Sequence, residues 1–279
     1  MKNTFLLIAI LGYFSASGQY YYNDLISAKE TSRQMETYLT NKVRSVTATG
    51  FDQRGMKSPD FNEWHDITNN GAVLKITSRD GQSVSRVYYH FENVSRLTSV
   101  TDSGGGVLSS TTYAYDAAGR ISSVRNSITD TANDFNQSET HLWEYNTAGK
   151  PEKLWRIINN SDSLEVRFTL DEYGNPAEER MYKKGVETGA VFYYYDEKNR
   201  LTDIVRFNIK AKRLLPDYMF EYDDKDRVIQ KITTTTSQSM GYFIWRYLFN
   251  EKGLKTKEAL FDKEKQLTGK IEYAYTFLE

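Results

Sequence analysis

The sequence predicts an all-β protein: a meander of repeated antiparallel hairpins that curls or spirals, preceded by one short helix. Three observations predict it. An aromatic-x-aromatic-acid pattern returns every 24 to 30 residues after residue 85, a Gly or a substitute for it stands three places behind each acid or amide, and the flanking stretches alternate bulky and polar side chains. A repeat of this length marks an array in which each unit buries its face against its neighbours. Closure into a β-propeller, two units making one blade, is the alternative architecture.

In chain order, residues 1–18 read as a signal peptide. Met1, Lys2 and Asn3 form a basic start, Phe5 to Phe14 is apolar but too short to span a bilayer, and Ser15 to Gly18 are small. Cleavage is expected between Gly18 and Gln19. No Cys follows, so the expected product is not a lipoprotein, has no membrane span after cleavage, and is exported to the periplasm or the extracellular space. Residues 19–84 are expected to form a cap of one helix and degenerate β units. Leu25, Ala28, Met35, Tyr38 and Leu39 fall at helical spacing, and Asn23 stands where an N-cap belongs. The helix should pack on the first hairpins and shield the array's exposed edge. Phe51 to Gly55 and Asp80-Gly81 read as turns, and His65 to Gly71 as a degenerate repeat.

Residues 85–279 hold the repeats. Seven segments fit, with anchors Glu92, Asp116, Asn146, Asp171, Asp196, Asp223 and Asn250. Aromatics at i and i+2 share one face of a strand, and an Asp or Asn after them can bond backbone N–H groups two residues on. The fourth turn position reads Ser95, Gly119, Gly149, Gly174, Asn199, Asp226 and Gly253, the choice expected where φ is positive. The expected structure is a type I turn with a Gly-type bulge, pairing Asp116 with Arg120, Asp196 with Arg200 and Asp223 with Arg227 across the hairpin. These turns line one edge of the sheet and variable loops line the other, about sixteen strands in all.

Tyr113-Ala114-Tyr115-Asp116-Ala117-Ala118-Gly119-Arg120-Ile121 resembles the Tyr-Asp (YD) repeat of Rhs and teneurin-type proteins, and Tyr193 to Leu201 is close to it. The resemblance covers residues 85 to 276, about two thirds of the chain. It implies a long antiparallel sheet that curls into a shell, an extracellular or surface location, and a role in encapsulation or adhesion. Toxin-carrying members resemble larger shells with a self-cleaving junction and an effector domain. The strands here are too few to enclose a cargo, so a short exported form without a toxin domain is expected.

Charge and motifs exclude several functions. With 36 basic against 37 acidic residues and no Cys, neither nucleic-acid binding by bulk charge nor a cysteine metal site is expected. His65, His90 and His141 lie in separate units without ligand spacing, Asp223 to Asp226 lacks the donors of a calcium loop, and Ser103 to Gly106 lacks the Lys of a phosphate loop. No catalytic residue, metal or cofactor is expected. Trp143 and Trp155 lie on the two arms of one hairpin and Trp245 stands two residues before Tyr247, so they form either a flat sugar-stacking platform or part of an aromatic core ladder. Their obedience to the repeat favours the core. The expected function is a non-catalytic scaffold or binding protein of the envelope or extracellular space, with envelope polysaccharide or a surface protein as partner. A carbohydrate-active enzyme or carbohydrate-binding module, and a subunit of a larger shell, are the alternatives.

Overall fold

Strand side chains alternate between faces, so a chain that places aromatic and aliphatic residues at every second position buries one face of its sheet and wets the other. The computed structural model describes residues 20–279 except 94, 105, 210 and 235–240, so the predicted signal peptide lies outside the described residues. After helix α1 (Asn23–Thr40) come β1 (Val43–Asp52), β2 (Lys57–Thr68), β3 (Val73–Asp80), β4 (Ser83–Glu92), β5 (Arg96–Gly104) and β6 (Val107–Tyr115). Next follow β7 (Ile121–Asp130), β8 (Phe135–Tyr145), β9 (Pro151–Ile158), β10 (Asp162–Leu170), β11 (Pro176–Lys183) and β12 (Val186–Tyr195). The last six are β13 (Leu201–Asn208), β14 (Arg213–Tyr222), β15 (Val228–Thr234), β16 (Tyr242–Phe249), β17 (Lys255–Phe261) and β18 (Leu267–Phe277).

Each strand pairs antiparallel with the next, and β1 also pairs with β18, Val46 opposite Tyr275 and Ala48 opposite Tyr273. The sheet is therefore a closed 18-stranded barrel. The antiparallel meander and the N-terminal helix are as expected, and the sheet closes as the alternative has it, but as one continuous barrel and not as an open curl or a propeller. An open curl would leave two edges, and β1–β18 pairing removes them. A propeller would break the ladder between blades, yet hydrogen bonding runs on across the unit boundary at β9–β10, Leu154 opposite Val166. The two strands beyond sixteen arise because residues 42–92 supply four full strands, and β1 among them is the closing one.

The turn chemistry follows the sequence closely. Asp116 N–H donates to the Arg120 carbonyl at 2.8 Å, Gly119 N–H donates to the Asp116 carbonyl at 2.9 Å, and Asp116 Oδ1 accepts from Ala118 and Arg120 N–H. Gly119 has φ +77°, and the matching residues Gly149, Gly174, Asn199, Asp226 and Gly253 are all left-handed. The Asp–Arg pairs form as expected, at 2.7 Å for 116–120, 2.7 Å for 196–200 and 2.5 Å for 223–227. Two departures stand out. In the first unit the left-handed residue is Asn93 (φ 47°) and not Ser95, and the same turn also closes the opposite mouth at Asp52–Met56 and Asp262–Gln266. Tight turns are thus not confined to one edge.

Each unit also carries a bulge just after its turn. Ala114 lies opposite Ser123 but Tyr115 lies opposite Ile121, so Ser122 is an extra residue and both Ile121 and Val124 face inward. The same slip recurs in all seven units. It places Val100, Val124, Leu154, Glu179, Ile204, Lys231 and Glu258 at one equivalent inward position, opposite the aromatics Tyr89, Tyr113, Trp143, Phe168, Tyr193, Phe220 and Tyr247. Four of these seven are aliphatic and three are charged.

Helix α1 lies within the barrel at the repeat-turn mouth and does not cover a sheet edge, since closure leaves none to cover. Its buried residues Ala28, Met35 and Tyr38 join Val46, Leu74, Leu97, Val124, Leu154 and Val166 in the main core. Its other side reaches the repeat turns across the same mouth, where Arg33 Nη1 donates to the Asp226 carbonyl at 3.3 Å and Asn41 Nδ2 to the Lys252 carbonyl at 3.2 Å. Asn23 is the first helical residue and is exposed; the N-cap is Tyr22, which makes no side-chain cap bond.

Candidate functional site

A helix start leaves N–H groups without intrahelical partners and carries partial positive charge, so a barrel that encloses one must answer it with an anion. Glu179 on β11 does so. Its fully buried carboxylate accepts from Tyr21 N–H at 2.9 and 3.0 Å, from Tyr22 N–H at 3.0 Å and from the Tyr193 hydroxyl at 2.7 Å. Burial pushes the Glu179 carboxyl above the ordinary carboxylate range, against the pull of those donors.

A second buried group ties down the first helical turn. His141 on β8, with no exposed surface, lies 2.7 Å from Asp24 Oδ2 on α1 and 2.7 Å from Glu139 Oε1 on its own strand. Arg156 on β9 donates to Glu139 Oε2 at 2.7 and 2.8 Å, and Trp143 Nε1 donates to Asp24 Oδ2 at 3.1 Å. Burial opposes a charge on the imidazole, but the two carboxylates outweigh it and raise its pKa to about 9. At neutral pH His141 is a cation held between two anions.

Beyond these anchors the inner wall stays polar. Glu30 and Gln34, one turn apart on α1, are exposed although the groups they face line the barrel's interior. Gln34 Nε2 donates to the Tyr38 hydroxyl at 3.0 Å, and that hydroxyl lies 3.4 Å from Nδ1 of the buried His65. His65 Nε2 in turn meets Glu63 Oε1 at 2.7 Å, and Ser78 donates to Glu63 Oε2 at 2.7 Å. Glu30 keeps accessible surface, yet the surrounding barrel wall takes it out of bulk water and raises its carboxyl pKa, against Lys231, Lys255 and Arg33, which draw it down. Lys231 Nζ sits over the rings of Tyr218 and Phe220 at 5.0 and 5.9 Å, and Lys255 Nζ over Tyr247 and Tyr273 at 4.9 and 5.5 Å. Paired charges and aromatic faces therefore line the chamber between α1 and the β14–β18 wall, into which Glu30 and Gln34 keep accessible surface.

Trp143, Trp155 and Trp245 do not share one platform. Trp143 is buried on the inner face, stacked on Phe168 at 5.3 Å. Trp155 lies opposite the exposed Leu142 on the outer face, where its Nε1 donates to Glu144. Alternation separates them, because residues on paired strands share a face only in register and Trp143 is in register with Leu154. Trp245 lies opposite Lys231 and so faces the chamber. The turn residues Asp116, Asn146, Asp171, Asp196, Asp223 and Asn250 all stay at the barrel rim in hairpin hydrogen bonds. Composition and motif spacing missed Glu179, Lys231 and Glu258. Alignment of the repeats on their bulges would have found them, as charges at a position otherwise filled by Val, Leu or Ile.

The fold and this interior define a closed antiparallel β-repeat barrel plugged by its own N-terminal helix. Residues 93–131 match the family model described as RHS Repeat, so the chain carries an RHS-type repeat over those residues. No curated protein matches the chain. Among solved structures it is similar to the Photorhabdus luminescens Tc holotoxin pore, with 12% identity and a TM-score of 0.35 over 78% of this chain and 12% of that one. It is also similar to a porin-like protein from Bacteroides uniformis, with 9% identity and a TM-score of 0.37 over 85% and 97% of the two chains. A porin-like protein from Bacteroides vulgatus aligns with 10% identity and a TM-score of 0.26 over 85% and 99%.

Proposed function

We propose that this chain is an exported, non-catalytic β-repeat scaffold whose barrel works in water and holds a small polar ligand in the chamber under α1. One observation carries the reading: Glu30 and Gln34 remain exposed inside a closed barrel, facing Lys231, Lys255 and inward aromatic rings. A helix that served only to fill the core would bury all its sides. The outer wall supports the aqueous part of the proposal. Mid-strand outward positions carry ion pairs, Glu165 with Lys153 and Arg167, Arg180 with Glu178 and Glu187, and Glu272 with Lys257 and Lys270. A lipid-facing belt excludes such charges at about 2–4 kcal/mol each for basic side chains at its centre. The basic-apolar-small order of residues 1–18 supports export.

The test is expression of the full chain in a bacterial host, followed by fractionation and by titration of the processed protein with soluble envelope extract. The expected result is processed protein in the periplasm or medium, soluble without detergent, with a saturable fluorescence change that Trp245→Phe removes. Recovery in the membrane fraction, or an unchanged fluorescence across all extracts, would overturn the proposal.

A further inference from the structure

We propose that Lys231 is a reactive amine, a site of covalent capture for small aldehydes that enter the barrel. The observation is positional. Lys231 occupies the inward, post-bulge position that is aliphatic in four other units, at Val100, Val124, Leu154 and Ile204, and acidic in two, at Glu179 and Glu258, so it is the amine among the seven. Its ammonium lies over two rings, Tyr218 and Phe220, and has no carboxylate within 4.0 Å among the described residues. The one acid that faces it is Glu30 on α1. Lys255 is the internal contrast: it also sits between two rings in the same chamber, but Glu258 Oε2 lies 3.1 Å from its Nζ and holds it as an ion pair.

An amine is a nucleophile only when unprotonated, and removing it from water without a counter-ion favours the neutral form. The direction agrees here: burial lowers the Lys231 pKa, and Glu30 only partly offsets this. The neutral amine nitrogen attacks the carbonyl carbon of an aldehyde, the carbinolamine loses one water, and an imine forms between Nζ and that carbon. No oxidant or reductant is consumed. Chamber walls of aromatic faces suit an aldehyde with a short apolar or aromatic body.

The proposal rests on the chamber being open to small solutes, and the experiment separates the two. Native full-length processed protein is treated with butanal and cyanoborohydride near neutral pH, which fixes any imine as a secondary amine, and labelling at each lysine is read by peptide mass mapping. Lys231 should label several-fold faster than Lys255 and faster than the rim residue Lys184. Glu30→Gln, which removes the facing negative charge, should speed Lys231 further while leaving Lys184 unchanged. Equal rates at Lys231, Lys255 and Lys184, or no response to Glu30→Gln, would overturn the reactive amine while leaving the open chamber standing. Labelling at Lys184 with none at either Lys231 or Lys255 would overturn both.

Discussion

The guanidinium of Arg120 lies 4.6 Å from the centre of the Tyr145 ring, one repeat ahead of it, and the Tyr145 hydroxyl donates at 2.6 Å to the carbonyl of Ile121, the residue just after Arg120. This clamp recurs along the barrel. Arg96 covers Tyr115, Arg200 covers Tyr222 and Arg227 covers Phe249, while Tyr115, Tyr195, Tyr222 and Tyr275 donate to Leu97, Pro176, Leu201 and Lys255. In the four units that carry it, Arg96, Arg120, Arg200 and Arg227, the Arg therefore has two duties, pairing with its own unit's acid and stacking on the next unit's aromatic. Repeat proteins are held by such neighbour terms.

From this clamp, Tyr145→Phe should destabilise the barrel by about 1 kcal/mol, because the Ile121 carbonyl loses its donor while the ring remains. Arg120→Met in combination with Tyr145→Ala should show a coupling of roughly 0.5–1 kcal/mol in a double-mutant cycle. Urea denaturation followed by circular dichroism measures both. Strict additivity of the two substitutions would show that the ring and the guanidinium are neighbours without being partners.

The turns were legible in six of the seven units because their chemistry is local: Asp116 bonds residues within its own hairpin, and Gly119 is required by its own φ. The hairpin order was legible for the same reason, but the count of about sixteen strands fell two short because residues 42–92 lack the repeat's clear marks. Closure was not, since β1 meets β18 across more than 200 residues and neither strand bears a mark of its partner. The helix shows the same division. Its apolar stripe is written at Ala28, Met35 and Tyr38, but its N-terminal anion is Glu179, which lies 158 residues from Tyr21 in the chain. The local rule that assigned the cap to Asn23 had no access to that residue.

Glu179→Gln tests whether that anion fixes the helix. The amide keeps the shape but turns one acceptor into a donor aimed at groups that already donate, Tyr21 N–H, Tyr22 N–H and Tyr193 O–H. A loss of about 1–3 kcal/mol is expected, the cost of a buried polar group left without its partner. Amide exchange over residues 21–40 should speed more than exchange in β7. Uniform acceleration across the barrel would mean that Glu179 supports the sheet instead of the helix.

The His141 anchor makes stability depend on alkaline pH. Its pKa in the folded chain is raised from 6.5 to about 9, so the folded state binds this proton more tightly than the unfolded state does. The resulting stabilisation is complete below pH 6.5 and is lost as the pH rises through about 9. The groups facing the ring are Asp24 on α1, Glu139 on β8, Arg156 beyond it on β9, and Tyr21 packed edge-on at 5.2 Å. Thermal melts between pH 6 and 10 should fall across that window in the parent, and His141→Gln should flatten the decline while lowering the melting temperature at pH 6. A parallel decline in both proteins would assign it to other groups.

Closure itself is open to a direct test. β18 gives β1 and β17 their outer hydrogen-bond partners, Thr47 opposite Ala274 on one side and Glu258 opposite Ile271 on the other. Deleting residues 267–279 would leave two full-length edges side by side, each a template for another chain. The deleted barrel should elute as dimers or larger species in size-exclusion chromatography with light scattering, while the intact chain stays monomeric. Restoring a synthetic peptide of residues 267–279 should return it to the monomer, since the vacant site accepts one strand in one register. A deletion variant that stays monomeric without the peptide would mean that β1 and β17 pair directly, and that the barrel can close on one strand fewer.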